Sequence, residues 1–435
     1  MRFPRIGVWG KRLLLLTASL ALAFTLLELL VPSGFRIVRG LPFPRARTQR
    51  QLAEQAISSD ESSQSGTPQF VQHPYLGFTY NLDRIDHAAD SPLMGYTLPW
   101  MKRGPDHLVV ALVGGSFALQ TGSQAGEELT RGLAEMSGRR IRLVNLGLGG
   151  YKQPQQLMTL TYLLSLGAEF DLVINIDGFN EIALPAAEMV PEGVFPLYPR
   201  DWYVRAASLN LSEIRFIGRI ETLGNLRRRW ARIFDVPLVS ASDAALTVWK
   251  SVDRLFESRI LNLTAAFRAD GAANSWGVSG PHMEFPDDDA LMAFLAGAWA
   301  RCSLQMDRLC RANGARYVHV LQPNQYVPDS KPLSAEERAI AVSGNHPYQR
   351  PVAEGYSYLS RWGRQLVERG VEFHDFSLVF RDVHRILYSD NCCHLNKEGY
   401  RLIVQKLLDV LDRGGGLKLP TSAATAGTDA RNERP

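Results

Sequence analysis

Five short runs dominated by aliphatic residues constrain this chain more than any other feature. They cover 108–113, 141–146, 171–176, 316–321 and 371–376, and helical patterns lie between or after them near 126–136, 153–166, 287–313 and 397–411. Strands apolar on both faces are buried on both faces, so the alternation predicts an α/β fold. The expected form is a three-layer sandwich with helices covering a parallel sheet of about five strands. Gly314 stands where the 287–313 helix should stop, and Asn396 where it would cap the last one. Ligands of such sheets sit beyond the carboxyl ends of the strands, so chemistry is sought in the residues that follow each run.

The flanks carry different signals. Lys11 and Arg12 precede an apolar run over 13–31, interrupted mainly by Glu28. About 19 residues at roughly 1.5 Å each come close to the ~30 Å of a bilayer core. This predicts a basic cytoplasmic stretch over 1–12, a single-pass transmembrane signal-anchor over 13–31, and an extracytoplasmic (periplasmic) remainder. A cleaved signal peptide is the rival reading, because Ala21-Leu22-Ala23 resembles a cleavage box; the run continues beyond it to Val31, which favours the anchor. Residues 32–72 read as a linker or stalk, 73–413 as the globular domain, and 414–435 as a disordered tail. Within the domain, 198–285 holds helical patterns over 211–234 and 243–265 but no strand, and reads as a helical insertion.

Composition excludes several classes. The net charge is +4, and part of the excess lies in the flanks. No basic stripe with interleaved aromatics is present, so nucleic acid is not an expected partner. The run Arg227 to Arg229 with Arg232 reads as a solvated helix face. Of the four cysteines, Cys302 and Cys310 fall eight positions apart on one helix, about 12 Å along its axis, too far to bond. Cys392 and Cys393 are neighbours, a strained disulfide. With no C-x-x-C spacing and too few further ligands, neither a metal nor a cofactor is expected.

The chemistry concentrates after the strands. The first is followed by Gly114-Gly115-Ser116-Phe117, the second leads into Asn145 to Gly150, and the third into Asp177-Gly178-Phe179-Asn180. Near the C-terminus stands Ser389-Asp390-Asn391-Cys392-Cys393-His394. A hydrolytic serine needs a tight turn to expose its hydroxyl, an imidazole base, an acceptor that fixes the imidazole tautomer, and donors aimed at the developing oxyanion. Ser116, His394 and Asp390 are the candidates for the first three. The backbone N–H groups of Ser116 and Gly150 and the Asn180 amide are the candidate oxyanion donors; position 180 needs an amide because a carboxylate cannot donate. His319 lies in a strand pattern and reads as structural, and His374 with Asp375 as a sheet-end contact. The G-x-S-x-G elbow of another hydrolase class is absent, since Ala118 stands at the second glycine position.

In this order, Ser, Gly, Asn and His resemble the SGNH/GDSL hydrolase superfamily over about 108–411. Val113 to Ser116 resembles the nucleophile block, with Gly115 where the nominal motif has Asp. Asn145 to Gly150, Gly178-Phe179-Asn180 and Cys393-His394-Leu395-Asn396 resemble the other three blocks. The family's usual last block has Asp three residues before His, which is Asn391 here; Asp390 lies one residue further away. Either the loop bulges to present Asp390, or Asn391 orients the imidazole, or a Ser–His pair works without a third group. The resemblance implies a flavodoxin-like fold and a serine esterase or deacylase acting on O-acyl esters of an envelope glycan or lipid. An O-acyltransferase in envelope polysaccharide modification and a catalytically silent binding subunit are the alternatives. The membrane, through the N-terminal helix, and an acylated substrate are the expected partners; protein partners are not legible.

Overall fold

The computed structural model describes residues 70–81, 95–202, 205, 211–233, 242–269, 276–342, 346–412, 417 and 419, with scattered positions between 19 and 37. Much of the apolar run 13–31, and nearly all of the expected linker and tail, lie outside the described residues. Among the described residues no helix is long and apolar enough to cross a membrane.

The chain divides into two units, one formed by Gln69–Ala207 with Asn274–Pro435 and one by Met1–Pro68 with Ser208–Ala273. The larger opens with a two-stranded antiparallel hairpin, β1 (Phe70–His73) and β2 (Gly77–Tyr80). The main elements follow: β3 (His107–Gly114), α1 (Ser116–Ser137), β4 (Arg140–Gly147), α2 (Gln155–Ser165), β5 (Leu172–Asp177) and α3 (Phe179–Leu184). In the second unit come α4 (Leu211–Ile233) and α5 (Asp243–Ala269). The larger unit resumes with α6 (Asp288–Ala312), β6 (Arg316–Leu321), α7 (Ala335–Ala341), α8 (Gln349–Glu368), β7 (Glu372–Asp375) and α9 (Lys397–Leu411).

The five main strands are parallel and ordered β4-β3-β5-β6-β7. Every residue of β3 and β5 is buried, including the polar His107, Asn175 and Asp177, as central strands covered on both faces require. The outer strand β4 instead exposes or half-exposes its first four residues, Arg140 to Leu143. Alternation on β3 splits the core. Val109, Ala111 and Val113 pack with the apolar residues of α2, α6 and α8, whereas Val110 and Leu112 pack with those of α1 and α9. Three layers result, as the sequence pattern predicts.

Numbered in chain order, the five strands run 2-1-3-4-5, a doubly wound sheet whose connections diverge on either side of β3. Register brings the strand ends together: Gly114 pairs with Gly147 and Ile176, and Asp177 pairs with Leu321. The turns after β3, β4 and β5 therefore open onto one crevice.

In the smaller unit, α4 and α5 are tied by Arg227, which donates two hydrogen bonds to Asp253 at 2.6 and 2.7 Å. Glu28, the acidic residue inside the apolar run, is spent on α5. Its carboxylate accepts from the Asp243 N–H at 2.9 Å, the Ala244 N–H at 3.3 Å and the Ser242 hydroxyl. A carboxylate on the open N–H groups of a helix start satisfies both their hydrogen bonds and their partial positive charge.

Candidate active site

Ser116 is the first residue of α1, with Gly115 as the N-cap, so the hydroxyl stands at the positive end of the helical stretch that runs to the kink at Ala125 (φ −137°, ψ 18°). Its Oγ lies 2.8 Å from His394 Nε2, across 278 residues of sequence. His394 Nδ1 in turn lies 2.5 Å from Asp390 Oδ2. Hydroxyl, imidazole and carboxylate thus form one continuous hydrogen-bonded line.

The extra residue between Asp390 and His394 is absorbed locally. Asp390 Oδ1 accepts from the backbone N–H groups of Cys392, Cys393 and His394 at 2.9, 3.0 and 3.1 Å. The carboxylate closes a turn with one oxygen and leaves the other for the imidazole. The turn is held from outside by three successive residues after β6. Asn324 donates to the Cys392 carbonyl at 2.9 Å, Gln325 to that of Asp390 at 3.2 Å, and the Tyr326 hydroxyl to that of Asn391 at 2.6 Å. Asn391 thereby contributes its carbonyl to the loop, while Asp390 meets the ring.

Charge follows geometry. Burial opposes the Asp390 anion, but the imidazole hydrogen bond, its charge and the backbone N–H groups outweigh it and hold the carboxyl below its usual range. Burial likewise opposes a charged His394, and the adjacent Asp390 carboxylate outweighs that, so the imidazole pKa is raised above its ordinary value.

Beside the hydroxyl lie the turns after β4 and β5. Gly150 has φ of +79°, a left-handed conformation that favours glycine. The Asn180 amide is buried against Gly115 and donates to the Tyr151 carbonyl at 2.7 Å, a bond that uses one of its two N–H groups. Among the described residues neither the Ser116 nor the Gly150 N–H has a protein acceptor. Beneath them, the buried Glu181 carboxylate joins the two turns, accepting from the Gly178 N–H at 2.8 Å, the Gln153 N–H at 3.0 Å and the Gln156 amide at 3.0 Å. Burial, then the nearby Asp177 charge, push its carboxyl up to about 8.

Other residues singled out by sequence find different roles. His319 is fully buried between Asp177, at 2.8 Å, and the Ser303 hydroxyl, at 2.7 Å, with no exposure to a substrate. His374 contacts Glu372 at 3.4 Å, and Asp375 accepts from Ser360 and the Ser377 N–H. All four cysteines are free. The ligand atoms of Cys392, Cys393 and His394 lie within 4.8 Å of one another. They fit a metal poorly: both imidazole nitrogens are engaged by Ser116 and Asp390, and burial pushes the Cys393 thiol well above its ordinary range, against the thiolate a metal requires.

Sequence reasoning missed a polar cluster next to Gly150. Arg200 donates to Glu188 through Nε at 2.8 Å and Nη2 at 2.7 Å, and the Tyr348 hydroxyl also bonds Glu188. Lys152 Nζ, fully buried and pulled down to about 7 by that burial, donates to the Pro196 and Tyr198 carbonyls at 2.8 and 2.5 Å. No spacing rule links positions 152, 188, 200 and 348, so nothing short of the fold assembles them.

No protein-family model matches the chain, and no curated protein matches it. Among solved structures it is similar to LAE5, an alpha/beta hydrolase enzyme from the metagenome of Lake Arreo, Spain. The identity is 13% and the TM-score 0.32, over 71% of this chain and 96% of that one. A likeness that slight fixes neither fold nor activity.

Proposed function

We propose that the chain is a serine esterase or deacylase of the SGNH/GDSL type. The observation that carries this reading is the line from Ser116 Oγ through His394 to Asp390, at 2.8 and 2.5 Å, beside two backbone N–H groups without acceptors among the described residues. Ser116 Oγ attacks an ester carbonyl while His394 Nε2 takes its proton. Asp390 keeps Nδ1 protonated and supports the imidazolium. The oxyanion is received by the Ser116 and Gly150 N–H groups and the remaining Asn180 amide N–H. His394 then returns the proton to the leaving alcohol oxygen. In the second half, water attacks the acyl-enzyme and gives a proton to His394, which returns it to Ser116 Oγ as the C–O bond to serine breaks and the acid leaves.

The strand order and the placement of Ser116, Gly150 and Asn180 after three neighbouring strands support the SGNH assignment. The apolar run 13–31 supports a membrane-anchored domain on the extracytoplasmic side. That placement favours a second reading in which a sugar hydroxyl, instead of water, takes the acyl group. An intact hydrogen-bonded triad weighs against a silent scaffold.

The test is hydrolysis of p-nitrophenyl acetate by the full chain and its Ser116→Ala variant. A loss of about 10³-fold or more is expected; equal turnover by both proteins contradicts the reading. Acetate in solution against acetyl on an added sugar acceptor separates hydrolysis from transfer.

A further inference from the structure

The segment carrying Arg200 is fixed to both turns that flank Ser116. On one side, a Cβ at position 150 would stand 3.1 Å from Arg200 Cδ and 3.6 Å from its Cβ, so the arginine stem lies alongside Gly150. Lys152, two residues on, holds the Pro196 and Tyr198 carbonyls. On the other side, the Tyr348 ring meets Phe179 edge-on, with centroids 5.4 Å apart, and Phe179 adjoins Asn180. Arg200 Nη2 and the Tyr348 hydroxyl are 3.5 Å apart.

The Arg200 and Glu188 side chains remain 39% and 26% exposed, although each is tied to the other. With Nε and Nη2 committed to Glu188, Nη1 has no protein partner among the described residues. A guanidinium only donates and a carboxylate only accepts. Their charges cancel, so an anion approaching Arg200 also meets Glu188. An alkyl chain laid over the pair would strip water from two ions and return no hydrogen bond. A hydroxyl both donates and accepts, and adjacent hydroxyls on one ring satisfy the paired groups side by side.

Resting on the esterase reading above, we infer that Arg200, Glu188 and Tyr348 form a substrate subsite for a neutral, polyhydroxylated ring. The ester presented to Ser116 is then carried by an uncharged sugar residue, with the lipid option disfavoured. Arg200 acts here as a specificity-determining residue through hydrogen bonds from Nη1.

The experiment compares three acetyl esters with the full chain: a mono-O-acetylated neutral methyl hexoside, the corresponding methyl hexuronoside, and p-nitrophenyl acetate. In Arg200→Ala, KM for the neutral sugar ester should rise about tenfold or more, as expected when a polar contact to a substrate hydroxyl is removed, a loss several-fold larger than any fall in kcat/KM for p-nitrophenyl acetate. Tyr348→Phe, which removes one hydroxyl and leaves the ring packing on Phe179, should shift KM in the same direction by a smaller factor. It serves as the deciding variant should Arg200→Ala fail to fold. Equal losses on all three esters, no loss on the sugar ester, or a wild-type preference for the hexuronoside that Arg200→Ala abolishes would each overturn the subsite. Hydrolysis of p-nitrophenyl acetate with no preference for either sugar ester overturns the subsite alone; turnover of none of the three overturns the esterase reading beneath it.

Discussion

The Asn180 amide nitrogen lies 2.3 Å from the point where a Cβ on residue 115 would stand. Only glycine at 115 lets the amide rest against the turn that carries Ser116, and the Tyr151 carbonyl, 3.1 Å from the same point, closes the space further. The nominal nucleophile block has Asp at this position. Here a side chain on residue 115 and the amide of residue 180 compete for one volume.

Gly115→Ala is therefore expected to displace Asn180 and to lower kcat about as much as Asn180→Ala does, by roughly 10²–10³-fold, the range for losing one oxyanion donor. The double variant should be little worse than either single, because both remove the same contact. Steady-state kinetics on p-nitrophenyl acetate read this; additive losses would mean that the two residues act separately.

Asp390 and Asn391 are separable by substitution. Asp390→Asn keeps the shape and removes the charge that fixes the His394 tautomer, and kcat should fall by about 10⁴-fold. Asn391→Ala leaves its backbone carbonyl on Tyr326, so kcat should change by less than about threefold. The reverse ranking would move the orienting role to Asn391.

The raised pKa of His394 sets the pH dependence. The base must be neutral to accept the serine proton, so the rate should rise with pH through a limb above 6.5, the ordinary imidazole value. In Asp390→Asn the supporting charge is gone and the limb should move to lower pH. A pH profile of kcat/KM on the free enzyme measures both, and a limb that stays put in the variant would contradict the assignment.

Much of this was legible in the sequence because it rests on local patterns. β6 and α9 occupy the expected residues, and the Asn396 side chain accepts from the Gly399 N–H as a cap should. α1 is the instructive departure. Its second stretch starts at Gly126 as expected, beyond a non-helical Ala125, but a first stretch opening at Ser116 precedes it, where small residues facing the sheet thin the helical pattern. A Cβ at Gly122 would stand 2.3 Å from the Asn145 amide, and one at Gly126 3.2 Å from Leu143. α8 is missing from the expected helices although its apolar residues keep a clear helical period, Val352, Tyr356, Leu359 and Leu366 lying buried along one face. Gly355 and Gly363 lower its propensity, yet they are the points where Ile182 and Phe373 approach closely. The bulge that presents Asp390 depends on Asn324, Gln325 and Tyr326, more than 60 residues away, a contact no local pattern encodes.

In the smaller unit, Glu28→Ala should loosen the start of α5. Losing a cap costs about 1 kcal/mol, a roughly fivefold change in a local opening equilibrium. Amide hydrogen exchange at Asp243 and Ala244 should accelerate by about that factor, with the rest of α5 unaffected. Unchanged exchange would show that the carboxylate contributes nothing there.

The central claim is that the Ser116 hydroxyl is activated by His394. Its most direct measurement is labelling of the folded full chain with a fluorophosphonate, followed by peptide mass spectrometry. The account predicts covalent modification at Ser116, absent in Ser116→Ala and slowed at least about 10²-fold in His394→Ala. A correctly folded wild-type protein that stays unlabelled, or that is labelled at another residue, would contradict it.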